Sequence, residues 1–171
     1  LFAVPFFSTA GALFYRKDLL KEYKLMRDFV KKPLSWKELK EWSQKISKEK
    51  GIDGYAFQGQ KYEGLVCNFL EIYRSLGGKM KVLENGIKVD EKILKQALTH
   101  LKKLIDDGIS PKSVIEMTEE EGLNHFKSGK LLFLRSWNDL HKELLISSLG
   151  KNKIGIMPIP QFAGKKSIPT I

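Results

Sequence analysis

The chain has 171 residues, of which 42% are hydrophobic, and this is enough apolar material for one domain with a packed core. Its single cysteine excludes an internal disulfide framework and a cysteine-based zinc ribbon. The formal net charge of +10 would suit a nucleic-acid partner, but the lysines lie beside glutamates along whole helices. That pattern is typical of solvated helix faces, so we expect no nucleic-acid partner.

The two ends of the chain both look interrupted. The first seven residues, LFAVPFF, predict an extended apolar segment without an initial Met, and the last five, SIPTI, include no closing helix. No signal peptide is recognisable in this sequence, and no stretch is long and apolar enough to span a bilayer. We therefore expect residues 1–171 to form a single α/β lobe of a longer protein, truncated at both ends.

Two strands and three helices are predicted in the first half of the chain: strands at residues 12–15 and 55–57, and helices at residues 17–23, after Ser35, and at residues 63–76. Ser35 and Glu38 match a capping box, the reciprocal pairing that begins many helices. Trp36 and Trp42 then fall on the apolar stripe of that helix. We expect both indoles to face the core.

The second half predicts a hairpin at residues 79–89, helices at residues 91–107, 118–129 and 139–149, and strands at residues 131–134 and 153–160. Asn85-Gly86 is typical of a tight hairpin turn, and Thr118 with Glu121 matches a second capping box. Strands that alternate with helices predict an α/β fold. We expect a mostly parallel sheet flanked by helices, with the small hairpin beside it.

Trp137 follows the apolar run of residues 131–134 after only Arg135 and Ser136, and it precedes Asn138 and Asp139, which can begin the next helix. It should therefore lie at the carboxyl end of a buried strand, the edge at which ligands bind in open α/β sheets. One interpretation is that the indole stacks on a sugar ring. A core position for Trp137 is about equally consistent with the sequence.

Other candidate ligand-binding residues are aromatic, amide or hydroxyl side chains near strand ends: Thr9, Gln58, Gln60, Tyr62 and Asn138. Aromatic faces stack on the C–H faces of pyranose rings, while amides and hydroxyls both donate to and accept from sugar hydroxyls. Together with Trp137, this set predicts a site for a neutral carbohydrate.

Signals for catalysis, metals or cofactors are weak. The three histidines are not at metal-ligand spacing, and no phosphate-binding glycine loop or nucleophile elbow occurs. Glu121 and His125 share a helix face, but a cap and a surface histidine explain them more simply. Cys67 lies in an apolar helix, where a thiol is usually inert. We expect no metal, no cofactor and no enzymatic activity.

Several segments resemble the extracellular solute-binding proteins of sugar ABC transporters, the maltose/trehalose-binding type. The resembling segments are residues 4–6, 12–20, 33–39, 54–65 (GYAFQGQKYEGL), 77–78, 126–130, the strand into Trp137, and 155–160 (GIMPIP). The resemblance implies a periplasmic-binding-protein-like fold of two α/β lobes joined by hinge strands, with sugar bound between them. It places this chain on the carboxyl-terminal lobe.

By the same resemblance, Tyr62 and Trp137 correspond to stacking aromatics, and Thr9 and Gln60 lie where polar sugar contacts are made. Lys61 departs from the family pattern, which often has an aromatic residue or proline there, so the sugar stays open. The resemblance implies a disaccharide or oligosaccharide ligand such as maltose or trehalose. It further implies a missing amino-terminal lobe, a membrane permease as partner, and an extracytoplasmic, lipid-anchored full-length protein.

The sequence leaves two alternatives open. A glycoside-acting enzyme fragment would use Glu63, although no second acid stands out as its partner. A nucleic-acid-binding domain would use the basic surface. The truncated lobe would also expose its cleft and interdomain surface, which could drive self-association.

Overall fold

The computed structural model describes residues 8–170, and the expected extended segment at residues 1–7 lies outside the described residues. The described part forms an α/β fold built from β1 (Gly11–Arg16), α1 (Lys17–Glu22), α2 (Trp36–Lys50), β2 (Asp53–Ala56), α3 (Glu63–Ser75), β3 (Met80–Leu83), β4 (Gly86–Val89), α4 (Glu91–Asp106), α5 (Glu119–Lys127), β5 (Leu131–Trp137), α6 (His141–Leu145) and β6 (Ile154–Met157). Short 3₁₀ turns at Lys112–Glu116, Asn138–Leu140 and Lys151–Lys153 complete it. The predicted fold class is confirmed.

The main sheet has four strands in the described residues, in the order β2–β5–β1–β6. The expectation of a mostly parallel sheet is wrong in this respect, because β1 runs antiparallel to both β5 and β6, and only β2 and β5 pair in parallel. The three later strands share one direction, and β1 lies between two of them in the opposite direction. The prediction failed because strand alternation along the chain does not reveal which distant strands become neighbours.

The core lies between the sheet and its helices. Residues 131–134 of β5 are completely buried, as expected for a strand with neighbours on both sides and helices on its faces. The α2 helix packs near β2, and α5 packs near β5. Trp36 is buried as predicted, whereas Trp42 is only partly buried and packs against the edge of the core beside Phe29.

Local capping signals correspond closely to the observed helix ends. Ser35 and Glu38 form the predicted capping box of α2, and Thr118 and Glu121 form that of α5. The β3–β4 hairpin is also present, separate from the main sheet. The helix predicted at residues 139–149 is shorter, since α6 ends at Leu145. None of the helices in residues 8–170 combines the length and the apolar character that crossing a bilayer requires.

Candidate functional site

One edge of the sheet collects the sequence-predicted site residues. The parallel register of Ala56 with Leu134 brings the carboxyl ends of β2 and β5 to the same side. The antiparallel pairing of Gly11 with Trp137 places the start of β1 there as well. Segment 58–62 after β2, Trp137 at the end of β5, and Thr9 before β1 therefore meet at this edge.

Glu119, the first residue of α5, joins the two predicted aromatic residues. The Tyr62 hydroxyl donates to Glu119 Oε2 at 2.5 Å, and Trp137 Nε1 donates to Glu119 Oε1 at 3.0 Å. Both rings are partly buried. Each ring bonds one oxygen of the same carboxylate. Tyr62, which precedes α3, and Trp137, which ends β5, are therefore held beside each other.

The shared carboxylate changes the ionisation of its neighbours. Burial and the hydrogen bond to Glu119 raise the pKa of Tyr62 far above its ordinary value, so the phenol stays protonated and donates. Burial of Glu119 by itself would raise its pKa. The hydrogen bonds from Tyr62 and Trp137, with the positive charge of Arg135, outweigh burial and lower the pKa of Glu119. The carboxylate is therefore ionised at neutral pH.

Arg135 lies under the Trp137 ring, with its guanidinium carbon 4.3 Å from the ring centroid. A cation over an indole face at this distance is an attractive contact. Arg135 is itself buried and donates to Glu71 from Nε at 3.0 Å and from Nη2 at 2.5 Å. Trp137 is thus held on its edge by Glu119 and on one face by Arg135.

Gln58 lies below the site surface, where it has no exposed area. Its amide donates to the Arg135 carbonyl at 3.0 Å and accepts from Arg135 Nη1 and Asn68 Nδ2, each at 3.0 Å. The expectation that Gln58 contacts ligand directly is therefore at odds with its burial. Its side chain instead holds Arg135 beneath Trp137.

The other polar residues predicted for the site lie at its surface. Gln60 is exposed and follows Gly59, whose close approach to the Val114 carbonyl leaves no room for a Cβ atom. Asn138 is exposed, and its Oδ1 accepts from the Ala10 backbone at 2.9 Å. This bond ties the segment that contains half-buried Thr9 to the end of β5. Whether these side chains contact a ligand stays a prediction.

Sequence reasoning missed Glu119 and Arg135 as members of the site. The capping box identifies residue 118 as the start of a helix, so Glu119 could have been placed in its first turn. Its two bonds, however, join residues far apart in sequence, and no local pattern predicts them. Arg135 directly follows the apolar run of residues 131–134, and an arginine that continues such a strand itself signals a buried partner.

The remaining candidate groups are either bonded to other residues or buried. Glu63 accepts a hydrogen bond from Cys67 Sγ at 2.9 Å, and burial, together with this bond, raises the pKa of Cys67 to about 12. His125 lies 2.7 Å from Asp53 through its Nε2 atom. Burial lowers the pKa of His100 to about 4. Within residues 8–170, no three His, Cys, Asp or Glu side chains cluster in a way that could hold a metal ion.

Comparisons with known proteins give a consistent result. The family model of bacterial extracellular solute-binding proteins matches residues 2–171. A probable ABC transporter-binding protein of Deinococcus radiodurans is 37% identical over 182 residues, which cover 100% of this chain and 41% of that protein. A putative binding protein of Brucella abortus is 27% identical over 131 residues, covering 76% of this chain and 31% of that protein.

Solved structures agree with the sequence comparisons. Maltose-bound MalE3 of T. maritima has a TM-score of 0.85 and 37% identity, covering 98% of this chain and 42% of that one. A solute-binding protein of Agrobacterium vitis with bound D-mannitol has a TM-score of 0.79 at 20% identity, covering 99% and 43%, and this likeness concerns the fold alone. The chain spans about two fifths of the length of the first of these relatives.

Proposed function

The chain belongs to the family of bacterial extracellular solute-binding proteins, and from this premise we propose that it is the carboxyl-terminal lobe of a sugar receptor. In this proposal the whole protein is the substrate-binding component of an ABC transporter. The other lobe supplies the second wall of the cleft, and the two close over the ligand by a hinge motion. The closed receptor then delivers the sugar to a membrane permease.

The observation that carries this proposal is the pair of rings held together where the carboxyl ends of β2 and β5 meet. Tyr62 and Trp137 share the Glu119 carboxylate, and each is only partly buried. Since Arg135 covers one face of Trp137, the opposite face is the one offered to a pyranose ring. We assign polar sugar contacts to Thr9, Gln60 and Asn138 around these rings.

The ligand we favour is a neutral disaccharide or oligosaccharide of the maltose or trehalose type. The two rings suit the C–H faces of successive pyranoses, and the surrounding amide and hydroxyl groups suit uncharged hydroxyls. The similarity to a structure described as maltose-bound supports the same class. We further propose that the whole protein is lipid-anchored outside the cytoplasm, in keeping with the extracellular family.

We propose binding without turnover. Glu63, the candidate acid for glycoside chemistry, accepts from Cys67 on its own helix. Glu119, the acid that does lie between the rings, has its two oxygens bonded to Tyr62 and Trp137. An aryl maltoside incubated with the whole protein should therefore release no aglycone.

Replacing Trp137 tests the proposed site. Trp137→Ala removes a stacking surface, and by analogy with base stacking we expect a loss on the order of 1–3 kcal/mol in sugar binding. The measurement is isothermal calorimetry of the full-length protein with maltose and with trehalose. Trp42→Ala is the matched control, because Trp42 packs at the core edge near Phe29 and should affect stability but not sugar affinity.

Unchanged affinity in the Trp137→Ala protein would remove the stacking role. If the wild-type protein bound neither sugar nor related oligosaccharides, the proposal of a sugar receptor would itself be wrong.

A further inference from the structure

Glu119 occupies an unusual place for an acid in a site that suits neutral sugars. Its two carboxylate oxygens each accept from one ring, Tyr62 or Trp137. None of the ion pairs within residues 8–170 includes it. Hydrogen bonds from the Tyr62 hydroxyl and the Trp137 indole offset the cost of partly burying this charge, and they hold Glu119 as an ionised carboxylate between the two rings.

We propose that Glu119 is a positioning residue that also determines specificity. It fixes the spacing of the Tyr62 and Trp137 rings, and its negative charge excludes sugars that carry a carboxylate. This inference rests on the proposed function, since it concerns which sugars the same site accepts.

Alignment of the rings follows from the contacts on each side. The Tyr62 hydroxyl is held by Glu119, and its ring folds over Gly64, where a Cβ atom would lie 2.3 Å from that hydroxyl. Trp137 is held through its Nε1 atom by Glu119 and through one face by Arg135. Both rings are therefore fixed before the ligand arrives, which reduces the conformational entropy lost on binding.

The charges around the rings leave an excess of negative charge at Glu119. Arg135 stabilises the ionised form of Glu119, but its guanidinium donates two hydrogen bonds to Glu71 and makes its ion pair there. Lys61 and Glu63 flank Tyr62, are both exposed, and oppose each other in sign. A carboxylate on a bound sugar would thus meet the field of Glu119, and like charges brought together in an enclosed site are strongly unfavourable.

Two substitutions separate alignment from charge. Glu119→Gln keeps a polar link to both rings, because its Oε1 can accept from Trp137 while its amide donates to the Tyr62 oxygen. Glu119→Ala removes both links. The probes are maltose, which is neutral, and two anionic analogues with the carboxylate at opposite ends, maltobionate and glucuronosyl-glucose. Affinities are measured by calorimetry on full-length protein.

We expect Glu119→Ala to bind maltose about tenfold more weakly than wild type and Glu119→Gln to stay within about threefold. Both variants should bind at least one anionic analogue about fivefold or more better, relative to maltose, than wild type does. Glu121→Gln is the control. It neutralises an acid on the same helix but retains the capping box with Thr118, so the preference should not change.

Three results would overturn the inference. They are wild-type maltose affinity in Glu119→Ala, a loss in Glu119→Gln as large as in Glu119→Ala, and an unchanged preference between neutral and anionic sugars in both variants. The second result would mean that the carboxylate itself binds sugar. Failure of the wild-type protein to bind any of the three probes would instead count against the proposed function. Thermal unfolding of each variant verifies that the comparison is made between folded proteins.

Discussion

Arg135 is a charged side chain that is almost completely buried in the core. Its guanidinium pairs with Glu71, which also accepts from the Thr170 backbone at 3.1 Å. Gly11 lies directly against this pair. A Cβ atom at Gly11 would lie 2.0 Å from Glu71 Oε1 and 2.7 Å from Arg135 Nη2. The absence of a side chain at position 11 is therefore what allows the buried ion pair to form beside the site.

Gly11→Ala should accordingly destabilise the protein. The added methyl group must displace one partner of a buried ion pair, and loss of such a pairing costs about 3–5 kcal/mol. Local relaxation of the structure recovers part of this cost. We therefore expect the free energy of unfolding, measured with urea, to fall by about 2–4 kcal/mol. Because Arg135 supports Trp137, sugar affinity should fall as well.

Gly122→Ala provides the comparison for this prediction. Gly122 is buried in α5, but an added Cβ would meet only a Leu134 methyl group at 3.1 Å. Alanine also favours a helix over glycine by about 1 kcal/mol. We expect the free energy of unfolding of the Gly122→Ala protein to lie within about 1 kcal/mol of the wild-type value. Equal effects of the two substitutions would show that the ion pair adapts freely to a methyl group at position 11.

At the scale of single elements, the start of α2 depends on three side chains acting together. Ser35 accepts from the Glu38 backbone, and Glu38 Oε2 accepts from the Ser35 backbone at 3.0 Å. Arg27, from the preceding loop, donates two hydrogen bonds to the Glu38 carboxylate, at 2.7 and 2.9 Å. The Arg27 bonds, aided by those from Ser35 and opposed by partial burial, lower the pKa of Glu38 to about 2.

This lowered pKa predicts how stability depends on pH. The unfolded carboxyl has its ordinary pKa of 4.5, so the Glu38 contribution is complete above that pH. It is lost as the pH falls toward about 2. Glu38→Gln keeps the capping box but cannot ionise. We therefore expect wild type to be more stable than this variant at pH 6, with a difference that shrinks as the pH falls.

Urea unfolding of both proteins between pH 6 and acid conditions measures this difference. Glu41→Gln, on the exposed side of α2, is the control and should change the free energy by less than about 0.5 kcal/mol. A difference between wild type and Glu38→Gln that stays constant down to the lowest pH would contradict the role given to Arg27.

The elements also show how far local sequence determines structure. Capping boxes, the Asn85-Gly86 turn and apolar periodicity act over a few residues, and they located most of the helices and the hairpin correctly. The direction of β1 depends instead on its pairing with β5 and β6, which are far away in sequence. Pairing between strands that are distant in sequence leaves no local pattern, so the mixed sheet could not be predicted from the sequence.

The candidate site follows the same division. The placement of Trp137 and Tyr62 at one edge of the sheet could be predicted, because each follows a strand whose carboxyl end lies where open α/β sheets place ligands, while their contact with a ligand stays a prediction. The burial of Gln58 could not, because an amide after a strand looks the same whether it faces ligand or a buried arginine. Its partners, Arg135 and Asn68, are brought to it only by tertiary packing.

At the scale of the whole molecule, the edge of the sheet that holds Tyr62 and Trp137 is also where distant parts of the chain come together. The Gly11 backbone donates to the Thr170 carbonyl at 2.9 Å, and the Thr170 hydroxyl donates to the Cys67 carbonyl at 3.1 Å. The start of β1 and the segment around Thr170 thus lie side by side next to the Arg135–Glu71 pair. Movement of either segment would therefore disturb Arg135 and Glu71, which support Trp137.

The Tyr62 and Trp137 rings lie together at one edge of the sheet, and we expect the 171-residue chain by itself to bind maltose far more weakly than the whole protein. Closure of a second lobe would add contacts and exclude water from the other side of the ligand. Losing those contacts should cost about 100-fold or more in affinity, or at least about 2.7 kcal/mol. Parallel calorimetry of the 171-residue chain and the full-length protein measures this ratio.

Sedimentation velocity on the same 171-residue sample must accompany the titration, because exposed apolar surface could drive self-association and hide the site. If the chain is monomeric and still binds maltose as tightly as the full-length protein, the two-wall arrangement is wrong. The rings at this edge would then form a complete site by themselves. If affinity is lost and is restored when the remainder of the protein is supplied as a separate polypeptide, the second wall is identified directly, since only closure of the partner lobe can return the missing contacts.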